Sequence, residues 1–321
     1  MTGDVGITTP YKDRLMPTTT ASQARLQFFQ PTRNPTYCTR KIETAWGRAE
    51  ITGKLGVMHA ALLELMMFHS IRRRDLEDGS IQVLVDPYHL RKGLGEGERR
   101  PRDKVTKLGN GRRAAAWGGY SSTAIWTLIQ DLKSASILLT NRQGGEWVFD
   151  GLLYRVEASK ILTTPTDLTI EQDEARRRLK RHRLWRVTLS PTTARLYGED
   201  IPRHDDPRPV AALRSGVAAA VARWVLTHTK SPQGGGWRID TVLAAVGAET
   251  EGVPGRHRRS ELRRESPGLA AAGVIVDGDR VRKDGGVHST PTCVHSTPTK
   301  EPGVHSTPTC VHSTPTKPGS V

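Results

Sequence analysis

Cysteine is nearly absent from this 321-residue chain, which holds only Cys38, Cys293 and Cys310. So few thiols over such a length argue against a disulfide scaffold and for a reducing compartment. Aromatic residues are scarce as well, at 5%. No run approaches the ~18 consecutive apolar residues of a membrane-spanning helix. The opening segment, MTGDVGITTPYKDRLMPTTT, lacks the apolar stretch of a secretion signal. Acidic residues are outnumbered, with 33 Asp+Glu against 48 Lys+Arg and a formal net charge of +15. Hydrophobic residues make up 36%, enough for two modest cores but leaving segments without one. Secreted, disulfide-stapled and membrane-spanning classes are thereby disfavoured. The expectation is a soluble cytoplasmic protein with a polyanionic partner.

Catalytic chemistry is missing too. Gly47 to Lys54, GRAEITGK, nearly spells a phosphate-binding loop. It has one residue too many between its glycines, and Leu55 stands where the Mg²⁺-binding hydroxyl belongs. There is no His-hydrophobic-His triplet, and Cys38 has no evident base beside it. Asp277-Gly278-Asp279 has the composition of a hairpin turn rather than a pair of metal carboxylates. His59 and His69 sit in an apolar helix and are expected to pack or cap. The expectation is therefore no enzyme, no cofactor and no metal site.

What the chain does have is clustered positive charge. Arg99 to Arg113 holds seven cations and one acid, Asp103. Arg176 to Arg186 holds seven cations and no acid, and Arg256 to Arg264 five cations, His257 and Glu261. Three such runs favour a nucleic-acid surface, because Lys and Arg on phosphates release condensed counterions. At the C-terminal end, VHSTPT recurs four times, beginning at Val287, Val294, Val304 and Val311. These units cannot bury enough apolar surface to offset chain ordering, so 285–321 is expected to be a disordered tail. Residues 1–44, rich in Thr and Pro where they begin, are expected to form a flexible arm.

Between the ends, one order of elements occurs twice. In 45–165, an apolar helix over 55–69 precedes a strand (Ile81–Val85) and a short helix opened by Asp86-Pro87. A helix capped at Ser121/Ser122 follows, then a hairpin of Ile137–Thr140 with Trp147–Val156, the latter broken near Gly151. In 166–284, strand Leu184–Leu189 comes first, then a helix over 210–229, a strand at Trp237–Ile239 and a helix Thr241–Val246. A third helix from His257, bent at Pro267, leads to a hairpin turning at Asp277-Gly278. Helix, strand, helix, helix, hairpin is the order of a winged helix. The expected fold class is α+β, with two tandem winged-helix (helix-turn-helix) domains and a disordered C-terminal tail.

In such a unit the second helix of the motif enters the major groove. This nominates Arg256, His257, Arg258, Arg259, Arg263 and Arg264 on the groove helix, with Arg259 and Arg263 as base readers. Arg280 and Arg282 on the wing are expected to meet phosphates. In the first unit the groove helix is apolar, so Arg99, Arg100, Arg102, Arg112 and Arg113 in the preceding loop are the expected backbone contacts, with dimerisation as a further role.

The stretches LGVMHAALLELMMFHS, VLVDPYHLRKGL and YSSTAIWTLIQDLKSASILL, then LRSGVAAAVARWVL and the run from IDTVLAAVG through RRSELRRESPGLAAAGVIVDGDRV, resemble the initiators of iteron-type plasmid replication. That resemblance implies a cytoplasmic bacterial protein with two winged-helix domains that binds tandem direct repeats at a plasmid origin. It implies help in opening DNA, recruitment of the host replication initiator and helicase, control of copy number, and repression of its own promoter as a dimer in equilibrium with monomer. A winged-helix regulator of an ordinary promoter is the alternative.

Overall fold

The computed structural model describes residues 16–95, 122–141, 145–159, 184–232 and 235–284. β1 (Thr19–Thr20) leads into α1 (Ala21–Arg25), then β2 (Cys38–Thr44), β3 (Gly47–Gly53), α2 (Val57–Phe68), β4 (Ser70–Asp75), β5 (Ile81–Val85) and α3 (Pro87–Gly95). Next come α4 (Ser122–Ser134), β6 (Ser136–Asn141), β7 (Glu146–Asp150), β8 (Leu153–Ser159) and β9 (Leu184–Leu189). The order then runs α5 (Pro191–Glu199), β10 (Pro202–Arg203), α6 (Arg208–Ala211), α7 (Gly216–Leu226), β11 (Trp237–Arg238) and α8 (Ile239–Ala245). It closes with α9 (Gly252–Arg264), α10 (Ser266–Ala271), β12 (Val274–Asp277) and β13 (Arg280–Lys283). The class is mixed α+β. Gly47–Lys54, the near phosphate-binding loop, is mostly strand β3.

α2 is apolar around its whole circumference, and a helix with no polar face must be central. Every residue from Val57 to Met67 is buried. His59 serves the helix start: Gly56 N–H donates to its Nδ1 (3.1 Å), and its Nε2 lies 3.1 Å from Asp131 Oδ2 on α4. With Nδ1 accepting, the ring proton belongs on Nε2 and is donated to the carboxylate. α4 turns Ile125, Leu128, Ile129 and Leu132 to the same core.

Two four-stranded antiparallel sheets flank this core, ordered β2-β3-β6-β7 and β4-β5-β9-β8. A three-stranded sheet, β11-β13-β12, serves a second core of α7, α8, Leu262 and Leu269. The second and third sheets share a rule. In each half, the strand preceding the helix-helix pair lies beside the last strand of the closing hairpin: β5 beside β9, and β11 beside β13. The connectivity of the two halves is thus repeated, although their sizes differ.

Three expectations are corrected. The hairpin closing the first half is β8–β9, not Ile137–Val156. Trp147–Val156 breaks at Gly151 (φ +86°), where a Cβ would lie 2.5 Å from the Lys133 carbonyl. β6 and β7 instead extend the β2–β3 hairpin. Consequently a boundary at 165/166 would divide a sheet, since β9 pairs with both β5 and β8. Leu184–Leu189 belongs to the first half, and α5 adds Leu196 and Tyr197 to its core. Finally, residues 16–44 are no loose arm. Met16, Leu26 and Phe28 are buried, β1 pairs with β10, and β2 is a sheet strand. Pattern reading missed this because the segment is short-elemented and tied by long-range bonds. The 285–321 tail lies outside the described residues.

The N-terminal segment also joins the halves. Thr32 crosses the starts of α2 and α7: Val57 N–H donates to its carbonyl (3.1 Å), and a Cβ on Gly216 would lie 2.6 Å from its Cα. Arg25 donates to the Thr227 hydroxyl and carbonyl. Between the core helices of the two halves, Arg223 on α7 donates to both carboxylate oxygens of Glu64 on α2, at 2.7 and 2.8 Å.

At the end of α2, His69 stacks on His89 (5.0 Å) and meets Phe68 edge-on (4.9 Å), with Arg208 over the Phe68 ring. Burial, then His89, then Arg208, hold His69 down to about 4 from an ordinary 6.5. Burial also lowers His59 and His228. An unfolded His69 takes up a proton at a pH where the folded one refuses it. Stability is therefore fully present above pH 6.5 and falls as the pH drops from 6.5 to about 4. His69→Gln is expected to flatten that fall. Denaturant midpoints measured across this range check it, and parallel curves for variant and parent would contradict it.

Candidate nucleic-acid interface

The most exposed concentration of cations among the described residues is α9, and its position is set by what lies under it. α8 ends at Gly247, left-handed at φ +74°, which lets Ala248 N–H return to the Leu243 carbonyl (2.9 Å). Gln27 of the N-terminal segment donates to the Ala245 carbonyl (3.0 Å) and closes over the same turn. α9 opens at Gly252, earlier than the expected His257, and stops at Arg264; Pro267 then falls in the first turn of α10. Gly255 is buried with its Cα against the turn: a Cβ there would lie 2.2 Å from the Thr250 carbonyl oxygen. α8, this turn and α9 therefore fit closely against one another.

At 3.6 residues per turn, Val253, Ser260 and Arg264 fall along one line of α9. Arg256 and Arg263 lie to one side of that line and His257 to the other. All six are exposed. Leu262, diametrically opposite, is fully buried and anchors the helix to α7 and α8. The open face thus carries four cationic or protonatable side chains, one hydroxyl and one apolar group, with no acid.

Two of the nominated residues turn elsewhere. Arg259 donates to Asp240 Oδ1 on α8 (2.6 Å) and to the Thr250 carbonyl (3.0 Å). It lies on the flank towards α8 and ties α9 to it, turned away from the outer face rather than towards it as a base reader would be. Arg258, on the opposite flank, pairs with Glu261 one turn on (3.1 Å). Helical spacing placed Arg259 and Arg263 near one another but could not reveal that Asp240 would claim the first.

The hairpin β12–β13 stands beside α9. Its turn begins with Gly278 at φ +54°, a left-handed position that favours glycine. Arg263 reaches this turn, donating to the Gly278 carbonyl (3.4 Å) with Asp279 at 4.0 Å. Both Arg263 and Asp279 side chains remain about half exposed, so this weak tie leaves Arg263 open to a partner. Arg280 donates to the Gly236 carbonyl (3.0 Å) but is exposed, and Arg282 is half-buried on β13. Gly236 is needed here: a Cβ would lie 2.3 Å from the Val281 carbonyl oxygen. Trp224 and Trp237 pack edge-on at 5.2 Å and hold β11 to α7.

No protein-family model matches the chain, and no curated protein matches it. Among solved structures, the crystal structure of selenomethionine derivatives of domains 2 and 3 of RctB is similar to it. The match covers 83% of this chain and 99% of that chain, at 12% identity and a TM-score of 0.44.

Arg99, Arg100, Arg102, Arg112 and Arg113 lie outside the described residues, within the connection from α3 to α4. So do Arg176 to Arg183, which fall in the chain joining β8 to β9. The latter position had not been foreseen. Arg186 on β9 is described, with its guanidinium 3.9 Å from Glu157. α4 presents Trp126, Thr127 and Gln130 to solvent rather than a row of cations. Among the described residues no group of His, Cys, Asp and Glu is placed to hold a metal ion, and no helix is long and apolar enough to cross a membrane.

Proposed function

We propose that this chain is a non-catalytic binder of duplex DNA built from two winged-helix units, of which the second reads sequence. The observation that carries the reading is the acid-free outer face of α9, presented by a braced helix-turn-helix beside a hairpin. A helix so placed fits the major groove, where an arginine can pair with guanine O6 and N7. Arg256 on the open face is the base reader, Arg263 and Arg264 reach bases or phosphates, and Arg280 and Arg282 meet phosphate beside the groove. The net charge of +15 supplies the sequence-independent part of the affinity.

The repeated connectivity supports a first unit of the same kind. Its wing connection, between β8 and β9, contains the Arg176–Arg183 run, and its α3–α4 connection contains Arg99 to Arg113. Two such units in tandem suit a plasmid replication initiator that binds direct repeats at an origin, helps open the DNA and engages host initiator and helicase, with self-association and promoter repression as a second use of the same surface. Regulation of an ordinary promoter is the alternative. Loss of autonomous replication on deleting the gene, with direct repeats footprinted beside it, selects the first.

Arg256→Ala is expected to lose about 1–3 kcal/mol of specific binding and to relax preference at one base pair. Arg259→Ala should instead lower the melting temperature. Anisotropy titrations on a duplex selected from a random pool, against a scrambled one, check both. Equal affinities of Arg256→Ala and the parent for both duplexes would remove α9 from the groove.

A further inference from the structure

Val253 is the apolar residue on the outer face of α9, and the DNA-binding reading leaves it unused. It is 54% exposed, although Val is among the residues most often buried. A lone exposed valine ordinarily needs no explanation. This one lies on the central line of the outer face, shared with Ser260 and Arg264, and one turn before Arg256. It occupies the first turn of the helix, and the N-terminal residues of a groove helix are those that meet base edges. Its neighbours Gly252 and Pro254 are small or compact and also exposed, so nothing on the helix overhangs it.

An isopropyl group offers no hydrogen bond to a base edge. The major groove offers it one apolar partner, the C5-methyl of thymine. We infer that Val253 is a specificity determinant that selects a thymine by packing on its methyl group. The inference rests on the DNA-binding reading and deepens it. Position follows from the helix rise. Val253 precedes Arg256 by three residues, about 4.5 Å at 1.5 Å each, while stacked bases are about 3.4 Å apart. The thymine is therefore within about two base pairs of the guanine that Arg256 reads. An alanine at 253 would leave a gap over the methyl, and deoxyuridine would present hydrogen where the methyl stood.

The test uses the full chain and a duplex selected from a random pool, with each thymine replaced in turn by deoxyuridine. One position near the Arg256-dependent guanine should weaken binding by the worth of a single buried methyl, about fourfold. Val253→Ala should bind the parent duplex about fourfold more weakly, and the same deoxyuridine should then cost it almost nothing. Because the side chain is exposed, Val253→Ala should keep the parent's melting temperature. A flat scan, a sensitive thymine that stays equally sensitive in Val253→Ala, or a selected site with no thymine near that guanine would overturn the inference while leaving the DNA-binding reading intact. Failure of any selected duplex to bind better than a scrambled one would defeat that reading itself, and with it the assignment of Val253.

Discussion

Arg223→Ala should lower the free energy of unfolding by about 3–5 kcal/mol, the largest stability effect expected of a single substitution in this protein. The two partners are almost wholly enclosed, with Arg223 and Glu64 side chains 8% and 7% exposed. The bidentate geometry satisfies both oxygens of Glu64 and two guanidinium nitrogens. Alanine removes the counter-charge and leaves a carboxylate in the middle of α2 with no water to solvate it. Replacing both partners by methionine should restore most of the loss, because no charge is then left uncompensated. Chemical denaturation of the two single variants and the double variant measures this. A single variant within about 1 kcal/mol of the parent would mean that water or a shifted side chain reaches the pair. Glu64 and Arg223 lie on the core helices α2 and α7 of the two halves, so the same substitution should also loosen one half from the other.

The second large effect concerns Gly255. An alanine Cβ there would sit 2.2 Å from the Thr250 oxygen and 2.3 Å from its carbon, both backbone atoms that cannot rotate away. The turn must move, and with it go the Arg259 bonds to Thr250 and Asp240 that fix α9 on α8. Gly255→Ala is expected to cost about 2–3 kcal/mol of stability. It should also bring affinity for the selected duplex down to that for scrambled DNA, about 10³-fold or more. Differential scanning calorimetry and paired titrations read the two consequences. A variant matching the parent in both would show that the turn has room which the structure does not indicate.

The sequence carried more of the second half than of the first. The strand at Trp237, the break at Pro267 and the Asp-Gly hairpin stood within a residue or a turn of their expected places, because each has a strong local signal. The helix expected over 210–229, by contrast, is confined to Gly216–Leu226, with Arg208–Ala211 a separate short helix before it. In the first half, the strands Ser136–Asn141 and Glu146–Asp150 also paired locally as a hairpin should. Their role was misjudged because a local pattern cannot say which other strand lies alongside. β9 had no local sign that it would cross back to β5 and β8.

Residue types and periodicity alone determined that this is an α+β protein, basic, sparing of cysteine, with a strongly apolar helix within 55–69 and an arginine-rich one near 260. Those properties follow from short-range sterics and from the apolar repeat. Tertiary structure alone decided that Arg259 braces while Arg256 faces outward, that Glu64 finds Arg223, and that residues 16–44 lock the two halves together. Each of these joins groups well separated along the chain, by 19 residues for Asp240 and Arg259 and by 159 for Glu64 and Arg223. Such pairings depend on which surfaces are buried against each other, and no local propensity encodes that.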